Sequence, residues 1–240
     1  MKMAVTTVLF DLDGTLLPMD QDAFTKKYFG LLAARLARRG YAPEELIGAV
    51  WSGTKAMVKN TGEKTNEQVF WDDFTGHYGE GVKKDIPEFD AFYREDFAGA
   101  RSGCGFDPQA AQTIALCREL GLRVALATNP LFPATATEQR IAWAGLTPGD
   151  FALYTTYENS HYCKPNPDYY REVLRKLHVT AEECLMVGND VDEDMVAREL
   201  GMEVFLLTNC LLNKHGKDIS VYPNGRFEQL KHFLEETALK

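Results

Sequence analysis

Two aspartates stand one residue apart just beyond a short apolar run. Val8-Leu9-Phe10 leads into Asp11-Leu12-Asp13-Gly14-Thr15. The run reads as a strand buried on both faces that ends at Asp11. Gly14 permits a sharp turn, and Thr15 stays beside the strand end. A buried charge without a partner is costly, so two acids at such a place imply a metal or chemistry.

Three other segments offer reactive side chains in comparable positions. Thr128-Asn129 follows the run Val124-Ala125-Leu126-Ala127. Lys164 precedes Pro165 and a proline-initiated helix, which holds the lysine in a defined place. Gly188-Asn189-Asp190-Val191-Asp192-Glu193-Asp194 follows Met186-Val187. All fall at the C-terminal ends of predicted parallel strands, where open α/β sheets bind ligands.

In this order and spacing, the four segments resemble the four motifs of the haloacid dehalogenase superfamily. The first is Asp11 to Thr15, the second Leu126 to Asn129, the third Lys164 to Tyr170, and the fourth Met186 to Asp194. The resemblance implies a phosphatase acting through an aspartyl-phosphate. In that scheme Asp11 is the nucleophile. Asp13 protonates the leaving oxygen and later takes a proton from water. Thr128 and the Asn129 backbone N–H donate to the phosphoryl group, and Lys164 orients Asp11 and neutralises charge. It also implies Mg²⁺, a hard cation that keeps several waters. Its ligands would be Asp11, the backbone carbonyl of Asp13 and an acid of the fourth segment. There the sequence departs from the commonest pattern, which has Asp directly after the glycine. Asn189 occupies that position. The reading takes Asp190 as the direct ligand and Asp194 as a nearby or water-mediated one, with Asn189 as the alternative. Asp192 and Glu193 read as solvated acids at a helix start.

Positioning these groups requires a sheet. Apolar β-rich runs at 5–10, 123–127, 152–155, 184–187 and 203–208, with helical patterns between the later ones, predict βαβ units. Asp107-Pro108 and Asn166-Pro167 start helices, Thr180 and Glu183 have capping-box spacing, and Gly121, Gly145 and Gly201 close helices. Residues 18–104 break the rhythm: four helical patterns at 21–39, 43–59, 65–79 and 88–100, and no convincing strand. The expected class is α/β, a Rossmann-like parallel sheet core with a small all-helical cap domain. The core comprises 1–17 and 105–240, and the cap 18–104. The connections at 16–20 and 101–106 are hinge candidates, with Gly103 and Gly105 to absorb dihedral change.

The 240 residues carry 26 basic and 35 acidic side chains, a net charge of −9, which argues against binding nucleic acid. No apolar run is long enough for a bilayer, and no signal peptide is read at the N-terminus. Five scattered cysteines form no CxxC pair. Cys117 and Cys184 read as core, and Cys163 lacks a thiolate-stabilising motif. A cytoplasmic enzyme is expected, a monomer or small homo-oligomer, acting on a small phosphorylated metabolite. A phosphomutase of the same superfamily is the alternative, and a non-catalytic phosphate-ligand-binding module a further one. Substrate choice is expected from the cap, where Asp20, Trp51, Lys55 and Lys59 are candidates. A tryptophan at helical spacing more often belongs to a core.

Overall fold

The structure is a computed structural model that describes residues 4–238. Five parallel strands form one sheet in the order β2-β1-β3-β4-β5. They are β1 (Thr7–Phe10), β2 (Arg123–Leu126), β3 (Cys184–Gly188), β4 (Glu203–Leu207) and the two-residue β5 (Asn224–Gly225). Central β1 pairs with both β2 and β3, Phe10 lying opposite Leu126 and Val187. The fold is therefore α/β and Rossmann-like.

The strands read as continuous apolar runs because helices cover both faces. Val8, Phe10, Val187 and Phe205 share one core with α5 (Pro108–Glu119) and α8 (Phe227–Ala238). Leu9, Met186 and Val204 share the other with α7 (Pro167–Leu177). The proline-initiated starts are formed as expected: Asp107 accepts from the Gln109 N–H, and Asn166 from the Asp168 N–H. Thr180 and Glu183 form a reciprocal capping box, around a 3₁₀ turn.

Between β1 and α5 the chain is helical, with α1 (Gln21–Leu36), α2 (Pro43–Val58), α3 (Asn66–Tyr78) and α4 (Ile86–Glu95). The fourth helical pattern runs shorter than expected, giving way to a 3₁₀ segment at Phe97–Gly103. Aromatic rings fill the centre of this insert, Trp71, Phe74 and Phe89 lying mutually edge-on. Among the described residues, no helix is long and apolar enough to cross a membrane.

One expectation changes. The run 152–155 makes only an isolated parallel bridge, Tyr154 with Leu126. Its backbone bonds to Val124 and Leu126 continue the sheet edge without forming a full strand. The two connections of the insert, read as hinge candidates, pair with each other. Met19 and Cys104 form an antiparallel bridge, and the Gly105 N–H donates to the Pro18 carbonyl at 2.7 Å. Gly103 has no left-handed backbone. It is needed for close approach, because a Cβ there would lie 2.7 Å from the Phe24 backbone. A third attachment joins insert to core. The Asn66 and Glu67 N–H groups at the start of α3 donate to the Ser160 and Tyr157 carbonyls at 2.8 and 2.9 Å.

Candidate active site

After β1 the chain turns back on itself: Thr15 and Leu17 N–H both donate to the Leu12 carbonyl, and Gly14 N–H donates to Leu17. Gly14 has φ +87°, and a Cβ there would lie 2.4 Å from Asn189 Nδ2, so only glycine fits. The turn brings Asp11, Asp13 and Thr15 to the end of the sheet.

Lys164 enters from the loop before α7, after which the Lys164–Pro165 peptide is cis. Its ammonium donates to Asp11 Oδ1 at 3.0 Å and to Asp194 Oδ1 at 2.6 Å, with all three side chains largely buried. Burial alone would lower Lys164, but Asp11 and Asp194 outweigh it and hold the ammonium well above its ordinary range. Burial lifts the Asp194 carboxyl, and Lys164 opposes that lift. The other Asp194 oxygen accepts from the Asp190 N–H at 3.0 Å.

The Thr15 hydroxyl lies 3.1 Å from Asp11 Oδ2 and 2.9 Å from Asn189 Oδ1. Its single proton serves only one of the two, leaving two acceptor oxygens around one donor. Asn189 Nδ2 donates to the Cys210 carbonyl at 2.6 Å. Asp190 Oδ1 accepts from the Asp192 and Glu193 N–H groups at 2.8 and 3.0 Å, so this oxygen caps the following turn.

Sequence reasoning missed Arg140, which comes from α6 (Ala134–Trp143) and is 1% exposed. Its guanidinium pairs with Asp13 Oδ2 and stacks 4.5 Å over the Phe132 ring. Asp13 Oδ1 is buried without a partner. Burial lifts the Asp13 carboxyl above its ordinary range; Arg140 pulls it down and Asp11 adds to the lift. An arginine on a helix reads as solvated by default, and nothing local in the sequence marks this one as buried.

Thr128 is buried at the end of β2, and its carbonyl accepts from the Thr155 and Tyr169 hydroxyls. Asn129 is clamped to the lysine loop, accepting from the Lys164 N–H at 3.2 Å while its Nδ2 donates to Glu193 at 3.0 Å. Glu193 is not the solvated acid expected. It faces the site, and burial above all pushes its carboxyl up to about 7, Lys164 opposing and Asp194 and Asp190 reinforcing. Asp192 is also engaged, paired with Lys217 at 2.6 Å. Cys163 is buried, its thiol pushed up by burial, which leaves it a poor thiolate.

A cavity of about 1190 Å³ lies between the strand ends and the helical insert. Asp11, Asp13, Thr128, Asn129, Asn189, Asp190, Glu193 and Asp194 face it from the sheet side. Trp51, one of the cap candidates, is 45% exposed and lines the cavity from α2 rather than joining the core. Asp20 also lines it while capping α1 through the Ala23 N–H, whereas Lys55 and Lys59 are exposed away from it.

The comparisons agree with this architecture. Residues 5–201 match the sequence family described as haloacid dehalogenase-like hydrolase. YhcW of Bacillus subtilis (strain 168), provisionally named a phosphatase, is 25% identical over 234 residues, covering 98% of this chain and 93% of that protein. Among solved structures, the 2-haloacid dehalogenase of Pseudomonas syringae pv. Tomato DC3000 superposes with a TM-score of 0.65 at 18% identity, covering 97% of this chain and 99% of the other. YfnB of Bacillus subtilis, provisionally described as a HAD-hydrolase, gives 0.56 at 18%, covering 97% and 99%; it was solved bound to magnesium and displays interdomain movement. Such low identities speak to fold alone, but the family match spans most of the chain. With the α/β sheet and a charged cleft at its strand ends, the chain belongs to the haloacid dehalogenase-like hydrolases.

Proposed function

We propose that the protein is a phosphatase that hydrolyses a small phosphomonoester through an aspartyl-phosphate on Asp11. The observation that carries the reading is the asymmetry of the two carboxylates after β1. Asp11 is paired with the buried Lys164 ammonium at 3.0 Å. Asp13, two residues on, is lifted by burial and keeps one oxygen without a partner. One charged and one protonatable carboxyl is the division that nucleophile and acid–base roles require. The resemblance to YhcW supports the phosphatase branch.

In this scheme Asp11 attacks phosphorus and the P–O bond to the alcohol breaks. Asp13 gives its proton to the leaving oxygen, then takes one from the water that opens the acyl-phosphate. Arg140 keeps Asp13 from swinging away and limits how far burial raises its carboxyl. Thr128 and Asn129 bind the phosphoryl oxygens. Lys164 aligns Asp11 and carries positive charge against the equatorial oxygens.

The residues fit a hard cation. Asp11, Asp13, Asp190, Glu193 and Asp194 outnumber the buried cations Lys164 and Arg140. In addition, Asp11 Oδ2 and Asn189 Oδ1 compete for one hydroxyl proton. No compact group of three His, Cys, Asp or Glu side chains forms a metal site among the described residues. Mg²⁺ needs only one or two carboxylates beside its waters, so that is compatible with binding. Asp11, the Asp13 carbonyl and an oxygen of Asn189 or Asp190 would hold it, with Asp194 behind them on Lys164. When bound, the ion would offset phosphoryl charge. The helical insert is proposed as the cap that shields the reaction from water.

The test is Asp11→Asn. Phosphate release from p-nitrophenyl phosphate with Mg²⁺ should fall at least about 10⁴-fold, and acid-stable trapping of label from a phosphorylated substrate should vanish, with the circular dichroism unchanged. Near-normal release by a folded, undeamidated variant would sink the scheme. Free phosphate, rather than an isomerised sugar phosphate, is the expected product.

A further inference from the structure

The sheet side of the cavity accounts for a phosphoryl group, while the insert side describes the rest of the substrate. That side is aromatic: Tyr28, Trp51, Trp71, Phe89, Tyr93 and Tyr157 line it. Set among them is one acid, Asp90 of α4, on the same helix face as Phe89 and Tyr93. No described residue pairs with or hydrogen-bonds to Asp90. Glu88, two residues away, by contrast holds both Arg35 and Arg39. Glu67 and Glu158 lie close behind, and together with burial Asp90 and Glu158 raise Glu67. Around Asp90 the wall is thus aromatic and acidic; Arg140 acts on Tyr28 and Tyr93 from behind, but no cation of the described residues pairs with Asp90. The Trp71 indole N–H is also buried without a well-formed partner. At the mouth stand Asp20 and Asp22, with Lys214 from the core side the cavity's only lining lysine among the described residues.

We infer that the substrate is a phosphomonoester whose body carries a cationic amine, received by Asp90 within an aromatic cage. Ring faces attract ammonium groups, and they do so most strongly where water is excluded. A carboxylate half-buried beside them gains its missing partner when such a ligand binds. The same wall disfavours phosphoacids and bisphosphates, whose second anion would meet Asp90, Asp20 and Asp22. The volume of about 1190 Å³ exceeds what a two-carbon phosphate fills, leaving room for a ring or chain between phosphate and amine. The inference rests on the phosphatase reading for the placement of the phosphate.

Three aryl phosphates with similar leaving phenols isolate the body's charge: 4-(2-aminoethyl)phenyl, 4-ethylphenyl and 4-(2-carboxyethyl)phenyl phosphate. Hydrolysis by the unaltered enzyme with Mg²⁺ tests the phosphatase reading. Calorimetric affinity of the same esters for the Asp11→Asn variant tests the cation preference separately, whether or not any ester turns over. The amine should bind about tenfold tighter than the ethyl ester and the carboxylate weaker still. Adding Asp90→Asn should bring the amine-to-ethyl ratio close to one, and Asp90→Glu should restore most of it. Equal affinities for all three esters, or an amine preference that survives Asp90→Asn in a folded variant, would overturn the inference. Absence of hydrolysis of every ester beside a tenfold amine preference in binding would overturn the phosphatase reading and leave the cage standing.

Discussion

Asp11 and Asp90 line the same cavity, one from the sheet and one from the insert, in opposite electrostatic circumstances. Asp11 arrives already partnered, by Lys164 at 3.0 Å. Asp90 has no partner among the described residues. The sheet side is built from short loops locked to one another: Asn129 to Lys164 and Glu193, Asn189 to Thr15, Asp194 to Lys164 and the Asp190 N–H. On the proposed mechanism, such cross-bracing would fix the reacting groups before substrate arrives, which is where electrostatic catalysis gains most. The insert side is built from rings on separate helices, with a charge that no residue neutralises. Chemistry is held ready by the protein on one side, and on the other completion is left to whatever enters.

The largest effect should come from removing the cation that the sheet side is organised around. Lys164→Met leaves Asp11 and Asp194 buried side by side without it. Breaking a buried pair in this way costs about 3–5 kcal/mol, and for a chain of this size each kcal/mol is worth roughly 2–4 °C. The variant should melt about 10 °C lower at pH 8 in chelator and recover part of that at pH 5, as the stranded carboxyls protonate. Turnover should be lost at both values. An unchanged melting temperature would mean that the sheet side does not depend on this pair, and the contrast between the two sides would fail.

How much of this could be read in the chain differs between the sides. The places of Asp11, Asp13 and Thr128 at the end of the sheet were legible because strand ends are marked by apolar runs, whereas grouping Lys164 with them rested on the family resemblance. The helical insert was legible as four helical patterns without a convincing strand, close to the bounds of α1 to α4. Arg140 was not, because an arginine inside a helix carries no local sign of burial; only the packing of α6 beneath the β1 turn brings it to Asp13. Glu193 sits among acids that read as a solvated helix start, and its burial follows from the fold of the β3 loop. Gly103 reads as a hinge glycine, yet its lack of a side chain answers the approach of α1. The run 152–155 has strand composition but lies at the sheet edge, where a single bridge suffices. Local patterns specify elements, whereas pairings between distant segments depend on which elements meet.

The seam between the two sides gives a smaller effect. Asn66 is fully buried, and its Nδ2 lies 3.3 Å from the Pro130 and Tyr162 carbonyls and from Cys163 Sγ. Its Oδ1 accepts from Asn60 at 2.9 Å. Asn66→Ala leaves those groups without their donor and should cost about 1–3 kcal/mol. The loss should be local. Amide exchange should quicken at the start of α3 and along 157–163, and less in β1 and β3. A uniform rise across the sheet would show that insert and core unfold as one unit and that the seam is no line of separation.

The smallest effect concerns the outer support of the sheet side, and it depends on pH. Glu172 on α7 accepts from the His161 backbone N–H at 3.0 Å, contacts His161 Nδ1 at 2.7 Å and pairs with Lys176 at 3.1 Å. It therefore pins the loop that ends in Lys164. Burial tends to raise this carboxyl, but the His161 and Lys176 bonds prevail and hold it below its ordinary range. A carboxyl lowered in the folded state binds protons less readily there than when unfolded. Its contribution is then fully present above the unfolded value and fades as pH falls through the folded one. Glu172→Gln keeps the shape and removes the charge, so it should cost about 1–2 kcal/mol at pH 7. As pH falls through the range in which the native carboxyl protonates, that difference should fade. Urea unfolding of both proteins from pH 7 to pH 3 measures it. Curves that stay parallel over the whole range would show that the loop is pinned by shape alone; curves that converge toward acid would show that its charge helps to hold Lys164 in place.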